Sequence, residues 1–123
     1  MKEEKIKSFT DLRAWREAHK LVLMIYKLTD KFPKSEIFGL VSQMRRSAVS
    51  ISSNIAEGFG RNTTKEKYQF YCIASSSLIE LQNQLIISRD VNYIDNKEFQ
   101  ELAEQTVTVA KIISGLKRIK NKY

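Results

Sequence analysis

Apolar residues recur at spacings of three and four residues along four separate stretches of this 123-residue chain. Residues spaced in this way lie on one side of an α-helix, so each stretch predicts an amphipathic helix with one buried seam. The predicted helices span about residues 11–31, 36–57, 64–89 and 96–119. Four helices of about 20 residues, each about 30 Å long and joined by short connections, favour an all-α fold, an antiparallel up-down-up-down four-helix bundle.

The seam of each predicted helix follows from these spacings. In the first two helices the seams are Leu12, Trp15, Val22, Ile25 and Tyr26, followed by Ile37, Val41, Met44, Ala48, Ile51 and Ile55. In the last two they are Tyr71, Ala74, Leu78, Leu81 and Leu85, followed by Phe99, Leu102, Thr106, Val109, Ile113 and Leu116.

Capping signals predict where the last two helices begin. Thr63 is followed three residues later by Glu66, and Asp95 is followed by Glu98 at the same spacing. In both pairs the first side chain can accept a hydrogen bond from the free backbone N–H groups of the first turn, and the glutamate can bond back to the cap. We therefore expect helices to start directly after Thr63 and Asp95.

The limits of the first two helices are predicted from single residues. Thr10 and Ser35 are the predicted N-caps of the first and second helices, since their hydroxyl groups can accept from the first turn. Gly58 stands where a left-handed residue would end the second helix, and Gly60 would keep the following connection open.

Proline and glycine are scarce, which leaves little material for turns or flexible linkers. The chain has one proline and four glycines, with 42% hydrophobic and 28% charged residues, all of which suits a globular helical protein. A chain of this length can bury one core but not two independent ones. We therefore expect residues 1–123 to form a single domain.

Basic residues are in excess and are unevenly placed. The formal net charge is +7, and after Glu104 the chain contains basic residues but no acidic one. Such a balance suits an anionic partner such as nucleic acid, and it equally suits a solvated basic surface. Charge alone does not decide between these two interpretations.

The sequence favours a cytoplasmic, soluble protein without a membrane segment. Cys72 is the single cysteine, so the chain cannot form an internal disulfide. The charged N-terminus is not followed by an apolar stretch, so no signal peptide is predicted. No segment approaches the roughly 18 apolar residues that a membrane span needs.

The second predicted helix carries small, mostly uncharged residues outside its apolar seam. Serine and asparagine weaken a helix by several tenths of a kcal/mol each relative to the lysine or glutamate usual on a solvent-exposed surface. Small side chains would allow another helix to approach closely, and we expect that helix to belong to a second copy of the chain. The predicted oligomer interface comprises Gln43, Arg46, Ser47, Ser50, Asn54 and Glu57. The alternative is that these residues simply face water.

Two interpretations are also open for the adjacent arginines of this helix. Arg46 would lie near Glu80 of the third helix, where the two could form a structural ion pair. Arg45 and Arg46 could instead bind phosphate through their planar guanidinium groups, which requires exposure. We favour the structural role because the neighbouring residues are expected to be covered.

A pattern in the second helix resembles the family of 23S rRNA intervening-sequence proteins. The residues that carry the resemblance are Gln43, Arg46, Ser50, Ile51, Asn54, Ile55, Ala56, Glu57, Gly58 and Arg61. The segment FTDLRAWREAHKLVLMIYKLTDKFPKSEIFGL is similar to the opening of the family, and Ser77, Leu78, Glu80 and Leu81 match its third-helix pattern. The resemblance covers nearly the whole chain, with Ser76 standing where relatives often have glycine.

The resemblance implies a small bacterial four-helix bundle that assembles as a ring-shaped homopentamer. The RNA-binding activity expected of the family makes ribosomal RNA the favoured ligand. The family also resembles the basic pentameric accessory protein of diversity-generating retroelements, which works with a reverse transcriptase. A protein-interaction scaffold, or an accessory subunit of a nucleic-acid enzyme, is therefore the alternative function.

Residues suited to catalysis or metal binding are few. His19, the sole histidine, lies two residues after Glu17 and not in the Glu-x-x-His spacing of ferritin-like metal sites. Cys72 lies near the core seam of the third helix, where a thiol usually packs without reacting. The segment 58–60 lacks the strand and lysine of a phosphate-binding loop. We expect no enzyme activity, catalytic residue, metal or cofactor.

Basic residues at two places in the sequence are the candidates for nucleic-acid binding. In an up-down bundle the end of the fourth helix returns to the end at which the second helix meets the third. Both basic groups would then lie on one rim, where several copies would add their electric fields. The predicted contacts are Arg61, Lys65, Lys67, Lys117, Arg118, Lys120 and Lys122.

Overall fold

The computed structural model describes residues 5–119, and within that range the chain contains four α-helices and no β-strand. The helices are α1 (Arg13–Thr29), α2 (Ser42–Phe59), α3 (Thr64–Asp90) and α4 (Asn96–Arg118). A short 3-10 turn precedes α1, and a 3-10 turn and one π-helical turn precede α2. The predicted all-helical fold is confirmed. No helix of the described range has the length and apolar character needed to cross a membrane.

The helices pack in a closed cycle, in which α2 and α3 share the most extensive interface and α4 packs against both α3 and α1. Met44 near the start of α2 accepts a hydrogen bond from Ser88 near the end of α3, at 3.4 Å. Lys31, just after α1, pairs with Glu98 in the first turn of α4. Contacts of this kind connect the end of one helix with the start of its neighbour.

The predicted seams of α3 and α4 are confirmed, because every residue of the α3 seam is buried and the α4 seam is buried from Leu102 to Ile113. The seam of α2 is likewise buried from Val41 onward. Ile37 is the exception, with 49% of its surface exposed. It precedes α2 and belongs to the irregular π-helical turn, so the heptad spacing does not apply to it.

The predicted seam of α1 is partly wrong. Tyr26 is 42% exposed, and Trp15 is only half-buried. The buried positions of α1 instead repeat at spacings of four and three through Ala14, Ala18, Leu21, Ile25 and Leu28. Alanine gives a weak hydrophobic signal, so the larger aromatic residues beside this seam were mistaken for it.

Both predicted N-caps are confirmed, and the full capping box forms at Asp95. The Thr63 hydroxyl oxygen accepts from the backbone N–H of Glu66 at 3.1 Å. At the start of α4, Asp95 accepts from the Glu98 backbone at 2.8 Å, and the Glu98 carboxylate accepts from the Asp95 backbone at 3.0 Å. The Lys31 ammonium group is the first cause that lowers the pKa of Glu98 below its ordinary value, and the bond to the Asp95 backbone is the second.

Thr10 does not cap α1. Ser8 and Asp11 form a capping box around the 3-10 turn Phe9–Asp11, and α1 begins at Arg13 after Leu12, which has no side-chain capping bond. The prediction was wrong because Ser8, two residues before Thr10, caps a separate short turn that precedes α1.

Ser35 does not cap α2 either. It lies inside the 3-10 turn Lys34–Glu36, and the Glu36 carboxylate accepts from the backbone N–H of Leu40 at 3.1 Å. At Gly39 the backbone leaves helical geometry, with φ −111° and ψ −114°. The regular helix consequently starts at Ser42, six residues later than predicted.

Gly58 is a helical residue and not a left-handed stop. Within residues 5–119 no glycine has a positive φ, and α2 continues to Phe59 with Gly60 after it. A Cβ atom added at Gly58 would lie 2.7 Å from Cε1 of Tyr71. The absence of a side chain at Gly58 therefore allows α3 to approach α2 closely. In the sequence, a glycine required for such packing looks the same as one that ends a helix.

Candidate nucleic-acid interface

The two basic groups that the sequence predicts to share one rim lie near each other. The Lys117 ammonium group at the end of α4 is 6.0 Å from the ring centre of Tyr68 in the first turns of α3. Thr64 of α3 and Leu116 of α4 also line a common small cavity of about 50 Å³. Lys65 and Arg118, both exposed, belong to the same two helix ends. Lys120 and Lys122 lie outside the described residues.

Two further basic residues, Arg13 at the start of α1 and Lys111 of α4, lie near this end of the bundle. Arg13 lines a cleft of about 430 Å³ together with Lys111 and Gly115 of α4. Lys111 could have been found, because it lies seven residues before Arg118 and therefore on the same side of α4. Arg13 could not, because only the packing of α1 against α4 places it there.

These observations define a basic end of the bundle, to which three helices and the link between α2 and α3 contribute. It consists of Arg13, Arg61, Lys65, Lys111, Lys117 and Arg118. None of these side chains forms an ion pair with an acid among residues 5–119. The guanidinium of Arg61 lies 4.4 Å from the ring centre of Phe70, which holds it over an aromatic surface while it remains exposed.

Lys67 has a different environment from the other predicted contacts. Its ammonium group donates to the carbonyl oxygens of Phe59 at 2.6 Å and of Gly58 at 3.4 Å. These are carbonyl groups of the last turn of α2, where a cation is favoured by the helix dipole. Lys67 is half-buried in this position and stabilises the helix end, so it does not belong to the basic end.

Two acidic groups near the basic end, Asp11 and Glu66, accept hydrogen bonds from neighbouring residues. The Asp11 carboxylate accepts from the backbone N–H of Lys7 at 2.8 Å and of Ser8 at 3.1 Å. These bonds, led by the one from Lys7, lower the pKa of Asp11 below its ordinary value. Glu66 accepts a hydrogen bond from the Thr63 hydroxyl at 3.0 Å.

The predicted oligomer interface on α2 divides into two parts. Ser50 and Ser77 share a hydrogen bond of 2.8 Å, and the Ser47 hydroxyl lies 3.5 Å from the carboxylate of Glu80. Asn54 donates to the Ser50 carbonyl oxygen at 2.8 Å. The small size of these serines thus allows α3 of the same chain to approach.

The remaining predicted interface residues lie on the surface. Gln43, Arg46 and Glu57 are exposed. Arg46 forms no ion pair within residues 5–119, so the predicted pair with Glu80 is not present. The guanidinium of Arg46 is thereby left accessible, which is the condition that its phosphate-binding interpretation requires.

An exposed apolar surface adjoins this part of α2. Phe38 is 96% exposed and lines two neighbouring grooves. One groove, of about 890 Å³, lies between α1 and α2 and includes Tyr26 and Val49. The other, of about 520 Å³, includes Gln43 and Arg46. Phe38 was not predicted from the sequence, although an aromatic residue outside a predicted seam is a visible signal.

The sole histidine stacks on an aromatic ring and belongs to no metal-binding group among residues 5–119. Within residues 5–119 no three His, Cys, Asp or Glu side chains are grouped so that they could hold a metal ion. The His19 ring is stacked on that of Trp15, with ring centres 4.7 Å apart and an angle of 12° between the planes. Cys72 is half-buried, and its hydrogen bond to Tyr68 raises the pKa of the Tyr68 hydroxyl.

Comparison with known proteins identifies the family. The family model described as 23S rRNA-intervening sequence protein matches residues 10–115. The fold is similar to the crystal structure of a protein with unknown function from the S23 ribosomal protein family of Bacteroides thetaiotaomicron. The TM-score is 0.77 at 18% sequence identity, over 85% of this chain and 98% of that one. None of the curated proteins matches. Because the family model spans most of its length, the chain belongs to the family of 23S rRNA-intervening sequence proteins.

Proposed function

We propose that this chain is a non-enzymatic, homo-oligomeric protein of the cytoplasm that binds nucleic acid through its basic end. The observation that carries the proposal is the convergence of cations that form no ion pair within residues 5–119, among them Arg13 of α1, Arg61 before α3, and Lys111 and Arg118 of α4. Phosphate groups are the ligands that such a surface attracts, because each contact releases a condensed counterion.

Ribosomal RNA is the favoured ligand within this proposal. The family is described by its connection with 23S rRNA, and the net charge of +7 suits a polyanion. The exposed guanidinium groups of Arg13, Arg61 and Arg118 can each donate two parallel hydrogen bonds to a phosphate.

The proposed assembly is a ring of antiparallel up-down-up-down bundles, with five copies as the family resemblance implies. The pairing of helix ends with helix starts supports the antiparallel order. The exposed surface around Phe38, Gln43 and Arg46 supports a contact between copies, since a large apolar side chain in water is unfavourable unless a partner covers it. Each added copy would repeat the basic end and strengthen the field that attracts RNA.

The test is RNA binding measured over a range of salt concentrations. Contacts with phosphate predict that the logarithm of the binding constant falls linearly with the logarithm of salt concentration. A variant with Arg13→Gln, Lys111→Gln and Arg118→Gln should bind more weakly and show a shallower slope, by about 0.7 to 0.9 per lost phosphate contact.

A matched control removes the same charge elsewhere. Lys27, Lys34 and Lys97 are exposed and lie toward the opposite ends of the helices. Their triple replacement by glutamine should leave the salt slope close to that of the wild-type protein. Equal loss of affinity in both triple variants would show a general charge effect and would exclude a defined basic end.

The second candidate function is a protein-interaction scaffold or an accessory subunit of a nucleic-acid enzyme such as a reverse transcriptase. The groove between α1 and α2, which is lined by the 96% exposed Phe38, favours this alternative. Absence of RNA and DNA binding at low salt would refute the first function and leave this one.

A further inference from the structure

We infer that the nucleic acid bound by this protein is single-stranded, and that an unpaired base stacks on the exposed imidazole ring of His19. The inference rests on the proposed nucleic-acid binding and specifies the form of the ligand. It starts from a column of aromatic rings on the first turns of α1, which the core and the basic end do not explain.

The column has a fixed inner part and an exposed outer part. Trp15 is half-buried and packs against the core, and the Phe9 ring meets its indole edge-to-face at 5.4 Å between ring centres. His19 follows one helical turn after Trp15 and stacks nearly parallel to it, at 4.7 Å and 12°. The imidazole is thereby held in one orientation by a residue that the core itself holds in place.

The imidazole ring of His19 is exposed, and the inferred stacking uses the ring face that Trp15 does not cover. His19 is exposed, and its only aromatic neighbour among residues 5–119 is Trp15. One face of a planar ring is covered by the indole, so a planar ligand can continue the stack on the other. Nucleic-acid bases stack on exposed histidine and other aromatic rings in this way.

Cations lie beside the aromatic column, where they can bind the phosphate groups of a nucleic acid. Arg16 and Lys20 are exposed and lie three residues before and one residue after His19. The Nε atom of Arg16 donates to the carbonyl oxygen of Thr10 at 3.0 Å, which holds the guanidinium at the start of α1. Arg13 lies three residues before Arg16, and therefore on the same side of α1, and it lines a cleft with Lys111 of the basic end.

The combination of ring and cations favours a single strand over a duplex. In a duplex the base faces are already stacked on their neighbours, so a duplex can use the cations but not the imidazole ring. In a single strand or a loop the bases are free to stack on a side chain while the backbone contacts the neighbouring cations. Binding through phosphate contacts alone would show no preference for a single strand over a duplex.

The sole tryptophan of the chain makes the inference directly measurable. The probe is a uridine RNA of about 12 nucleotides, within the usual site size of single-strand binders, and the comparison is an RNA duplex of equal length. We expect the single strand to change the fluorescence of Trp15 on binding and the duplex to leave it nearly unchanged. Anisotropy of labelled RNA gives both affinities independently.

Three variants separate the ring from the charge. His19→Ala removes the ring and should weaken single-strand binding by about tenfold or more, without affecting duplex binding. His19→Phe keeps a ring without charge and should bind the single strand as the wild-type protein does. His19→Lys supplies a cation without a ring and should resemble the alanine variant. Since His19 is exposed, all three should retain the wild-type helical circular dichroism.

The outcomes distinguish this inference from the proposed function. Loss of binding to every RNA at low salt in the wild-type protein would overturn both. Salt-dependent binding that is equal for the two RNA forms and unaffected by His19→Ala would overturn the stacking alone and support the basic end. Rescue by lysine but not by phenylalanine would also overturn it, because the residue would then act through charge.

Discussion

The guanidinium of Arg45 lies 4.5 Å from the ring centre of Tyr26, above its face. The same group donates to the Tyr26 carbonyl oxygen at 3.3 Å and to the Thr29 hydroxyl at 2.9 Å, and it pairs with Asp30 at 3.1 Å. Arg46, the next residue, is exposed and has no such partner within residues 5–119. Of two adjacent arginines, one therefore fastens α2 to the end of α1 and the other remains at the surface.

Replacing these arginines one at a time should separate the two roles. Arg45→Ala should lower the free energy of unfolding by about 1 to 2 kcal/mol, because a stacked cation and its hydrogen bonds are lost. The Asp30 side chain is 82% exposed, so the ion pair itself should contribute little of this. Arg46→Ala should change the free energy by no more than about 0.5 kcal/mol. Urea denaturation measures both, and equal effects would contradict the assignment.

Two helical glycines should respond in opposite directions to alanine. At Gly58 the new Cβ would lie 2.7 Å from the buried Tyr71 ring, so Gly58→Ala should lower the free energy of unfolding by about 1 to 3 kcal/mol. At Gly115 the nearest atom is 3.9 Å away on the exposed Arg118, so alanine should raise it by about 0.5 to 1 kcal/mol. Thermal denaturation of the two variants is the measurement. Stabilisation by Gly58→Ala would show that α3 can move away.

The hydrogen bond between Tyr93 and Glu36 should be visible in a carboxylate titration. The Tyr93 hydroxyl donates to Glu36 at 2.7 Å, and this bond, followed by the one from the Leu40 backbone, lowers the pKa of Glu36 below its ordinary value of 4.5. A lowered folded-state pKa contributes stability above the unfolded-state value, and that stability is lost as the pH falls through the folded-state value.

Tyr93→Phe should therefore raise the pKa of Glu36 toward its ordinary value, as measured by NMR of the carboxylate carbon. The stability difference between variant and wild type should be present at neutral pH and shrink below the pKa of Glu36. Tyr26→Phe, which removes a hydroxyl from an exposed residue, is the control and should leave the titration unchanged. An identical midpoint in all three proteins would contradict the assigned hydrogen bond.

Phe38 offers a test of the proposed oligomer that does not disturb the fold of one chain. Because it is 96% exposed, Phe38→Asp should leave helicity and thermal stability of the isolated chain unchanged. If another copy covers it, the buried carboxylate should dissociate the assembly. Sedimentation velocity measures the oligomeric state of each protein. Leu23→Asp, at a 57% exposed residue of α1, is the matched control.

Substitutions of the α2 serines that contact α3 would be a less decisive test of the proposed oligomer. Ser50→Arg would break the hydrogen bond to Ser77 as well as any contact with another subunit. A wild-type protein that sediments as a monomer would contradict the proposed assembly, whatever the variants do.

The sequence predicted the helices well where strong local signals are present. The starts of α3 and α4 follow from Thr63 and Asp95, because a capping bond spans only three residues. The start of α2 could not be predicted in the same way. It depends on Glu36, whose carboxylate is held by Tyr93 from 57 residues away in the sequence.

The candidate site was predicted in part. The end of α4 and the start of α3 were assigned to one end of the bundle, and the Lys117 contact with Tyr68 agrees with this. Lys67 was included with the phosphate contacts because its charge is visible in the sequence, whereas its bonds to the Phe59 and Gly58 carbonyls are not. The stack of His19 on Trp15 was missed, although the spacing of four residues allows it on any helix.

Periodic apolar residues and capping groups determined, by themselves, that this chain forms four helices, together with the seams of α2, α3 and α4 and the starts of α3 and α4, because both signals act within a few residues along the chain. Tertiary structure alone decided that Ser50 meets Ser77 while Gln43 stays exposed, and that Arg45 rather than Arg46 is fixed. The physical reason is that the rotation and register of a helix depend on how side chains distant in sequence interlock, as Gly58 against Tyr71 illustrates.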